Sequence, residues 1–282
     1  MPDAADYELD KTEPPPGFSP PKPSSPAPWI ALAAVVIAAG ALVLYLRKDP
    51  APAPADGVTQ TEVPVTEAPQ PLGTAVEPIA LPPLDESDAL VRSLVRALSS
   101  HPRVAAWLTT NGLIRNFTAV VENISNGRTP AAHLRVLRPQ GPFSVVEAGG
   151  ATMIDTRSYN RYNDIAAAVD SIDADGAAKL YSTLKPRIED AYRELGYDTP
   201  FDRALETAIV HLLEALAPDG DLALIARGAL YQFNDPRLER LSAAQKQLVR
   251  MGPRNARTIQ RKLRAIGLAL GIPDGRLPKV PR

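Results

Sequence analysis

Arg254-Asn-Ala-Arg-Thr-Ile-Gln-Arg-Lys-Leu-Arg-Ala-Ile-Gly-Leu-Ala-Leu270 is the stretch that decides the class of fold. Arg254, Arg257, Arg261 and Arg264 follow 3-4-3 spacing, and Ile259, Leu263, Ile266 and Leu270 follow 4-3-4 spacing. At ~100° per residue the two sets fall on opposite sides of one helix. One side is a core stripe. The other is an arginine face with Lys262 near its edge, and Arg250 and Lys246 extend it from the preceding segment. The plain reading of such a face is a solvated surface balanced by acids elsewhere. The functional reading makes Arg250, Arg254, Arg257, Arg261, Lys262 and Arg264 an anion-binding surface for lipid headgroups or an acidic envelope protein. No aromatic residues interleave with these arginines, which disfavours nucleic acid.

Charge is distributed to match. From Arg237 to Arg282 twelve basic residues face only Glu239 and Asp274, a net +10, which leaves −11 for the rest of a chain whose total is −1. Working back from the last helix, Gly252-Pro253 separates it from another helical pattern over Leu238 to about Val249. Leu222 to Phe233 reads as a strand or as a helix spoiled by Gly228. Phe201, Leu205, Ile209, Leu212 and Leu216 form a stripe, with Thr199 as its cap and Asp202 near the positive end. Leu180, Leu184, Ile188, Tyr192 and Leu195 form another, in which Pro186 should kink or divide the helix. Tyr159, Tyr162, Ile165, Val169 and Ile172 precede it.

Between residues 133 and 156 the period changes. Leu134 and Val136, then Phe143 and Val145, alternate around Pro139-Gln140-Gly141-Pro142, and Gly149-Gly150 precedes Met153-Ile154. Two or three short strands are expected there. Helical spacing returns upstream, at Ile114 to Ile124, at Val104 to Leu108 after His101-Pro102, and at Leu90 to Leu98. The fold class is therefore mostly α, a multi-helix domain over 84–272 with a minor hairpin or small sheet. A basic tail over 273–282 follows it.

The N-terminal third has a different composition. Eighteen of the 30 prolines precede residue 84. Residues 1–28 are acidic and proline-rich and lack the apolar content to fold. Residues 29–46, Trp29 to Leu46, carry no charge and no proline. At ~1.5 Å per residue they span about 27 Å, which matches one transmembrane helix. The acids before it argue against a cleaved signal, and Trp29 and Tyr45 suit the two headgroup layers. Residues 47–83 are a Pro/Ala-rich stalk that could reach on the order of 100 Å. Orientation pulls two ways. Arg47 and Lys48 against Lys22 lean toward a cytoplasmic C-terminal domain. The stalk leans toward a domain held across an envelope space, the side favoured here.

Motifs for chemistry are sparse. The chain has no cysteine, which removes disulfides and thiolate nucleophiles. His101, His133 and His211 stand at no metal-ligand spacing. Asp173-Ala174-Asp175-Gly176 resembles part of a calcium loop, but Ser182 stands where the bidentate acid belongs. Tyr159, Arg161 and Tyr162 read first as a packing face and second as a ligand site. No catalytic, cofactor or metal residues are assigned. The preferred function is a non-enzymatic binding or scaffold module on a membrane stalk. One alternative is an envelope enzyme using Asp164, Asp170 or Asp173 as acid and base. The other is a cytoplasm-facing tether for an anion or nucleic acid.

Leu84 to Leu270 resembles the domain of unknown function 3014 family, which is bacterial and membrane-anchored. The residues that carry the resemblance are Ser158–Tyr162, Ser171–Asp173, Leu180–Tyr181, Ala191–Gly196 and, most specifically, Ser242–Pro253. The resemblance implies an inner-membrane protein with one span and a soluble domain. It implies no catalytic residues.

Overall fold

The computed structural model describes residues 71–228 and 230–280. The tail, the expected span at 29–46 and most of the stalk lie outside the described residues. Among the described residues, no helix is long and apolar enough to cross a membrane.

The packed chain begins at Leu72, ahead of the Leu84 boundary that composition suggests. Leu72 is buried, its N–H donates to Asp202 (3.2 Å), and the N–H groups of Gly73 and Thr74 reach Leu270 O and Ser182 Oγ (2.9 and 2.8 Å). Arg187 then holds the carbonyl of Pro82 (2.7 Å). Helix α1 (Asp88–Arg96) follows, then α2 (Pro102–Trp107) and α3 (Leu113–Ser125). The Asp88 carboxylate accepts the Gly112 and Leu113 N–H groups, both at 2.8 Å, so α1 caps the start of α3.

A hairpin comes next, β1 (Val145–Ala148) and β2 (Ala151–Ile154), closed by Gly149-Gly150. Both glycines have positive φ (57° and 76°), as a primed hairpin turn requires. The expected strand at Leu134 and Val136 does not form. Arg135–Leu137 is a 3₁₀ turn, because two alternating residues between breaks have no ladder to join.

Four helices follow: α4 (Arg157–Asn160), α5 (Asn163–Asp170), α6 (Ala174–Glu194) and α7 (Phe201–Leu213). Asp173 caps α6 by accepting the Gly176 N–H (2.7 Å), so the calcium-like stretch is a helix start. Pro186 does not divide α6. It is exposed, so the carbonyl that loses its hydrogen bond is left on the solvent side. Thr199 is not the cap of α7. The Glu189 carboxylate accepts the Phe201 N–H instead (3.1 and 3.3 Å). Leu216 lies beyond the end of α7 and is 45% exposed, so it leaves the expected stripe.

Leu222 to Phe233 is a second hairpin, β3 (Ala223–Arg227) and β4 (Leu230–Phe233), with Gly228 at φ 60° in the turn. Pairing of β2 with β3 (Thr152 with Leu224, Met153 with Ala223) completes a four-stranded antiparallel sheet ordered β1-β2-β3-β4. The helical pattern over Leu238–Val249 splits in two. Helix α8 (Pro236–Glu239) stops, and Ser242 starts α9 (Ala243–Arg250) through a capping box with Gln245. Helix α10 (Pro253–Ala269) closes the domain. The 273–282 segment folds back in part: Leu277 is 3% exposed and Arg276 pairs with Glu206 (2.6 Å).

The main core is helical and centres on Phe201, whose ring meets Tyr192 edge-on at 5.2 Å and Phe117 at 5.8 Å. Beneath the sheet lies a second cluster of Ile154, Leu222, Leu224, Phe233, Leu238 and Val249. Helix α10 joins the parts by packing on α5, α6 and α7.

Candidate functional site

The structure divides the arginine face. Arg257 reaches Asp219 (2.6 Å) and the carbonyl of Ala217 (3.1 Å). That contact holds the Asp219 carboxyl below the usual carboxylate range. Arg264 pairs with Asp274. Lys262 Nζ donates to Ile172 O (2.8 Å), a carbonyl just beyond the end of α5, where the helix dipole favours a cation. Arg250 lies over the Phe233 ring at 5.3 Å. Lys246, at the edge, pairs with Glu239 (2.7 Å). Arg254 and Arg261 remain exposed and hold no carboxylate among the described residues.

Between these cations sits Gln260, 1% exposed. Its Nε2 donates to the carbonyls of Leu212 (3.0 Å), Leu213 (3.4 Å) and Ala215 (2.8 Å). These carbonyls lie at the end of α7 and just beyond it, where the helical ladder runs out; that of Leu212 also accepts the Ala215 N–H (3.3 Å). Gln260, Arg257 and Lys262 thus clamp the ends of two other helices. The periodicity of α10 gives no sign of this, because the partners come from distant segments.

Asp164, Asp170 and Asp173 are exposed, and none lines a cavity described below. Asp164 faces Arg103 at 3.4 Å, and Asp173 is spent as a cap. His101 caps α2 through Nδ1 (3.2 Å to the Arg103 N–H), and His211 Nε2 meets Ser242 Oγ (2.7 Å). His133 lies in the turn before Arg135. Among the described residues, no group of three or more His, Asp or Glu side chains is placed to hold a metal ion.

Two blocks behind the family resemblance do converge. Tyr159, Asn160 and Asn163 face Met251, Gly252 and Arg254 across a polar cleft of about 280 Å³. Asn255 knits it together, its Nδ2 donating to Tyr159 O (2.9 Å) and Met251 O (2.9 Å). The Tyr159 hydroxyl is buried and without a partner among the described residues, and burial, then Asp221, push its pKa up. Tyr162 sits under the Arg161 guanidinium at 5.6 Å.

The larger feature is apolar and lies inside the helical core. A cavity of about 370 Å³ runs between α1, α3, α6, α7 and α10, walled by residues such as Val91, Phe117, Leu184, Leu205 and Ala208. Tyr181 is the one ionisable side chain in its wall. Burial and then a hydrogen bond to Asp202 push its pKa up, so it stays neutral. A smaller apolar cavity of about 180 Å³ adjoins it, and Val95, Leu98, Trp107 and Ile172 line both.

The space is partly open to solvent and walled almost wholly by apolar atoms, so it suits an apolar ligand better than water. An apolar cavity of ~150 Å³ already takes up benzene. The Trp107 indole Nε1 is buried and has no hydrogen-bond partner among the described residues. The sequence carries no signal for any of this. Leu184 and Leu205 sit on stripes that read as filled core.

The family model described as "Protein of unknown function (DUF3014)" matches residues 113–267. The match takes in α3, α6, α7 and nearly all of α10, four of the helices around the larger cavity, whereas α1 and α2, with Trp107, precede it. No curated protein and no solved structure matches the chain. With more than half its length matched, this chain belongs to the DUF3014 family.

Proposed function

We propose that this chain is a membrane-tethered, non-catalytic binding module that takes the apolar part of a lipid into its helical core. The single observation behind the reading is the 370 Å³ apolar cavity, whose volume and lining fall in the range of ligand sites. The uncharged Trp29–Leu46 stretch supplies the tether, in a bacterial inner membrane, and the stalk gives the domain reach on the periplasmic side. Together these parts describe a module that receives a chain from a bilayer or passes one on.

Native mass spectrometry of the full-length chain released from lipid nanodiscs tests the reading. The native chain should retain one bound lipid beyond the annular background. An Ala177→Leu/Ala208→Leu chain, with leucines at two wall positions, should lose that lipid and keep the background. Identical adducts on both chains would remove the reading.

A second reading keeps the basic face, in reduced form. Arg254 and Arg261 are exposed and have no acidic partner among the described residues, so they are the residues to contact an anionic headgroup or an acidic envelope protein. Sedimentation with anionic vesicles should fall in Arg254→Glu/Arg261→Glu. Unchanged binding would discard this reading.

A further inference from the structure

We infer, independently of the apolar cavity, that the polar cleft at the start of α10 binds a compact zwitterion, an ammonium and an anionic group carried by one small molecule. Asn255 is the starting point. It is 5% exposed and stands in the cleft wall. Its Nδ2 has three acceptors, Tyr159 O (2.9 Å), Met251 O (2.9 Å) and Asn163 Oδ1 (3.1 Å). Three acceptors around one atom fix which end of the amide is the nitrogen. The other end, Oδ1, accepts no hydrogen bond among the described residues. Unlike the Tyr159 hydroxyl, it is not sealed off from solvent. It therefore opens on the cleft as an acceptor with room for an incoming N–H.

Charge around that oxygen has both signs. Arg254 stands in the cleft wall, exposed. The backbone N–H groups of Arg254 and Asn255 open α10, and no side chain caps them. A helix start with free N–H groups favours an anion. Asp221, also exposed, brings a carboxylate to the same cleft from the turn before β3. Among the described residues, no ion pair engages either Arg254 or Asp221. A simple anion would be repelled by Asp221, and a simple cation by Arg254 and the helix start. A molecule with both charges meets each with its opposite. Its anionic group sits at Arg254 and the start of α10, and its ammonium donates to Asp221 and to Asn255 Oδ1. Two sources share this chemistry: a free amino acid, whose anion is a carboxylate, and a phosphoethanolamine headgroup, whose anion is a phosphate.

The test is isothermal titration calorimetry of the full-length chain in phosphatidylcholine nanodiscs. The probes are L-alanine, O-phosphoethanolamine, propionate and ethylamine. At least one of the two zwitterions should bind. Propionate and ethylamine, each lacking one charge, should bind roughly three- to tenfold more weakly or not at all. Binding of O-phosphoethanolamine alone makes a lipid headgroup the source, and binding of L-alanine alone makes it a free amino acid; binding of both means that the site reads the two charges whichever anion is present. Asp221→Asn and Arg254→Gln should each weaken the zwitterion by a similar factor. Asp221→Asn also separates the cleft from the basic surface proposed above, because sedimentation with anionic vesicles should not fall in that variant. Asn255 is left in place, since its Nδ2 ties three segments together and its loss would mix folding with binding. Failure of both zwitterions overturns the inference. So does propionate or ethylamine binding as tightly as they do, or unchanged affinity in both variants.

Discussion

Replacing Ala208 with leucine fills part of the space in the helical core. Ala208 is 5% exposed and lies in the wall of the larger cavity. Leucine adds three carbons. At about 0.8 kcal/mol per buried methylene they contribute roughly 2.4 kcal/mol, from which about 0.5–1 kcal/mol of lost rotamer freedom is subtracted. The helix preference of the two residues differs by only a few tenths. Lipid-free protein should therefore gain about 1–2 kcal/mol, a rise in Tm of roughly 2–8 °C for a domain of this size. A close-packed site would respond with the opposite sign, losing about 1–3 kcal/mol to overpacking. The assay is urea and thermal unfolding of the full-length, delipidated chain in a Trp29→Phe background. Of the two tryptophans that leaves Trp107, which lines the cavity, as the reporter. Destabilisation of Ala208→Leu would refute the claim that the core holds an unfilled space.

Other perturbations probe the parts around it. Gln260→Leu keeps the volume but strands the carbonyls of Leu213 and Ala215, while Leu212 O keeps the Ala215 N–H; a loss of about 1–3 kcal/mol is expected in urea unfolding, against no change for Arg261→Gln on the exposed face. Gly252→Ala should destabilise by about 1–3 kcal/mol, since φ is +84° and the new Cβ would meet the Tyr159 ring at 2.5 Å; an unchanged urea midpoint would contradict the packing described. Asp190 and Glu239 are held below their ordinary pKa, chiefly by Arg187 and by Lys246. The unfolded chain therefore takes up protons first as pH falls, so stability should hold above about pH 5 and decline below it, with a shallower acid limb in Asp190→Asn.

Much of the fold was legible because helical period survives any packing partner. The stripes over Leu180–Leu195, Phe201–Leu216 and Ile259–Leu270 each fall on one helix except at their ends, where Leu195 and Leu216 lie past the helix and are exposed. Gly149-Gly150 marked a hairpin for a backbone reason, and Gly228 closes another where the choice between strand and helix stood open. What failed depended on three dimensions. Leu134 and Val136 alternate but have no strand to pair with. Pro186 is tolerated because its face of α6 is solvent, which a one-dimensional pattern does not record. The arginine face was assigned to the correct helix, yet its partners Asp219, Asp274 and Ile172 O come from other segments. The cavity was invisible for a deeper reason. A leucine that faces a void and a leucine that faces another leucine are the same letter at the same spacing. The polar cleft was half visible, since its two walls, Tyr159–Asn163 and Met251–Arg254, lie almost entirely in the blocks behind the family resemblance.

The claim at the centre is that an acyl chain enters the helical core beside Trp107. Dibrominated fatty acid titrated into the full-length Trp29→Phe chain in nanodiscs measures that entry directly, because bromine quenches only an indole it touches. Quenching should saturate at one equivalent per chain and disappear in Ala177→Leu/Ala208→Leu. Quenching that rises linearly with the brominated lipid, without a plateau and equally in both chains, would contradict it.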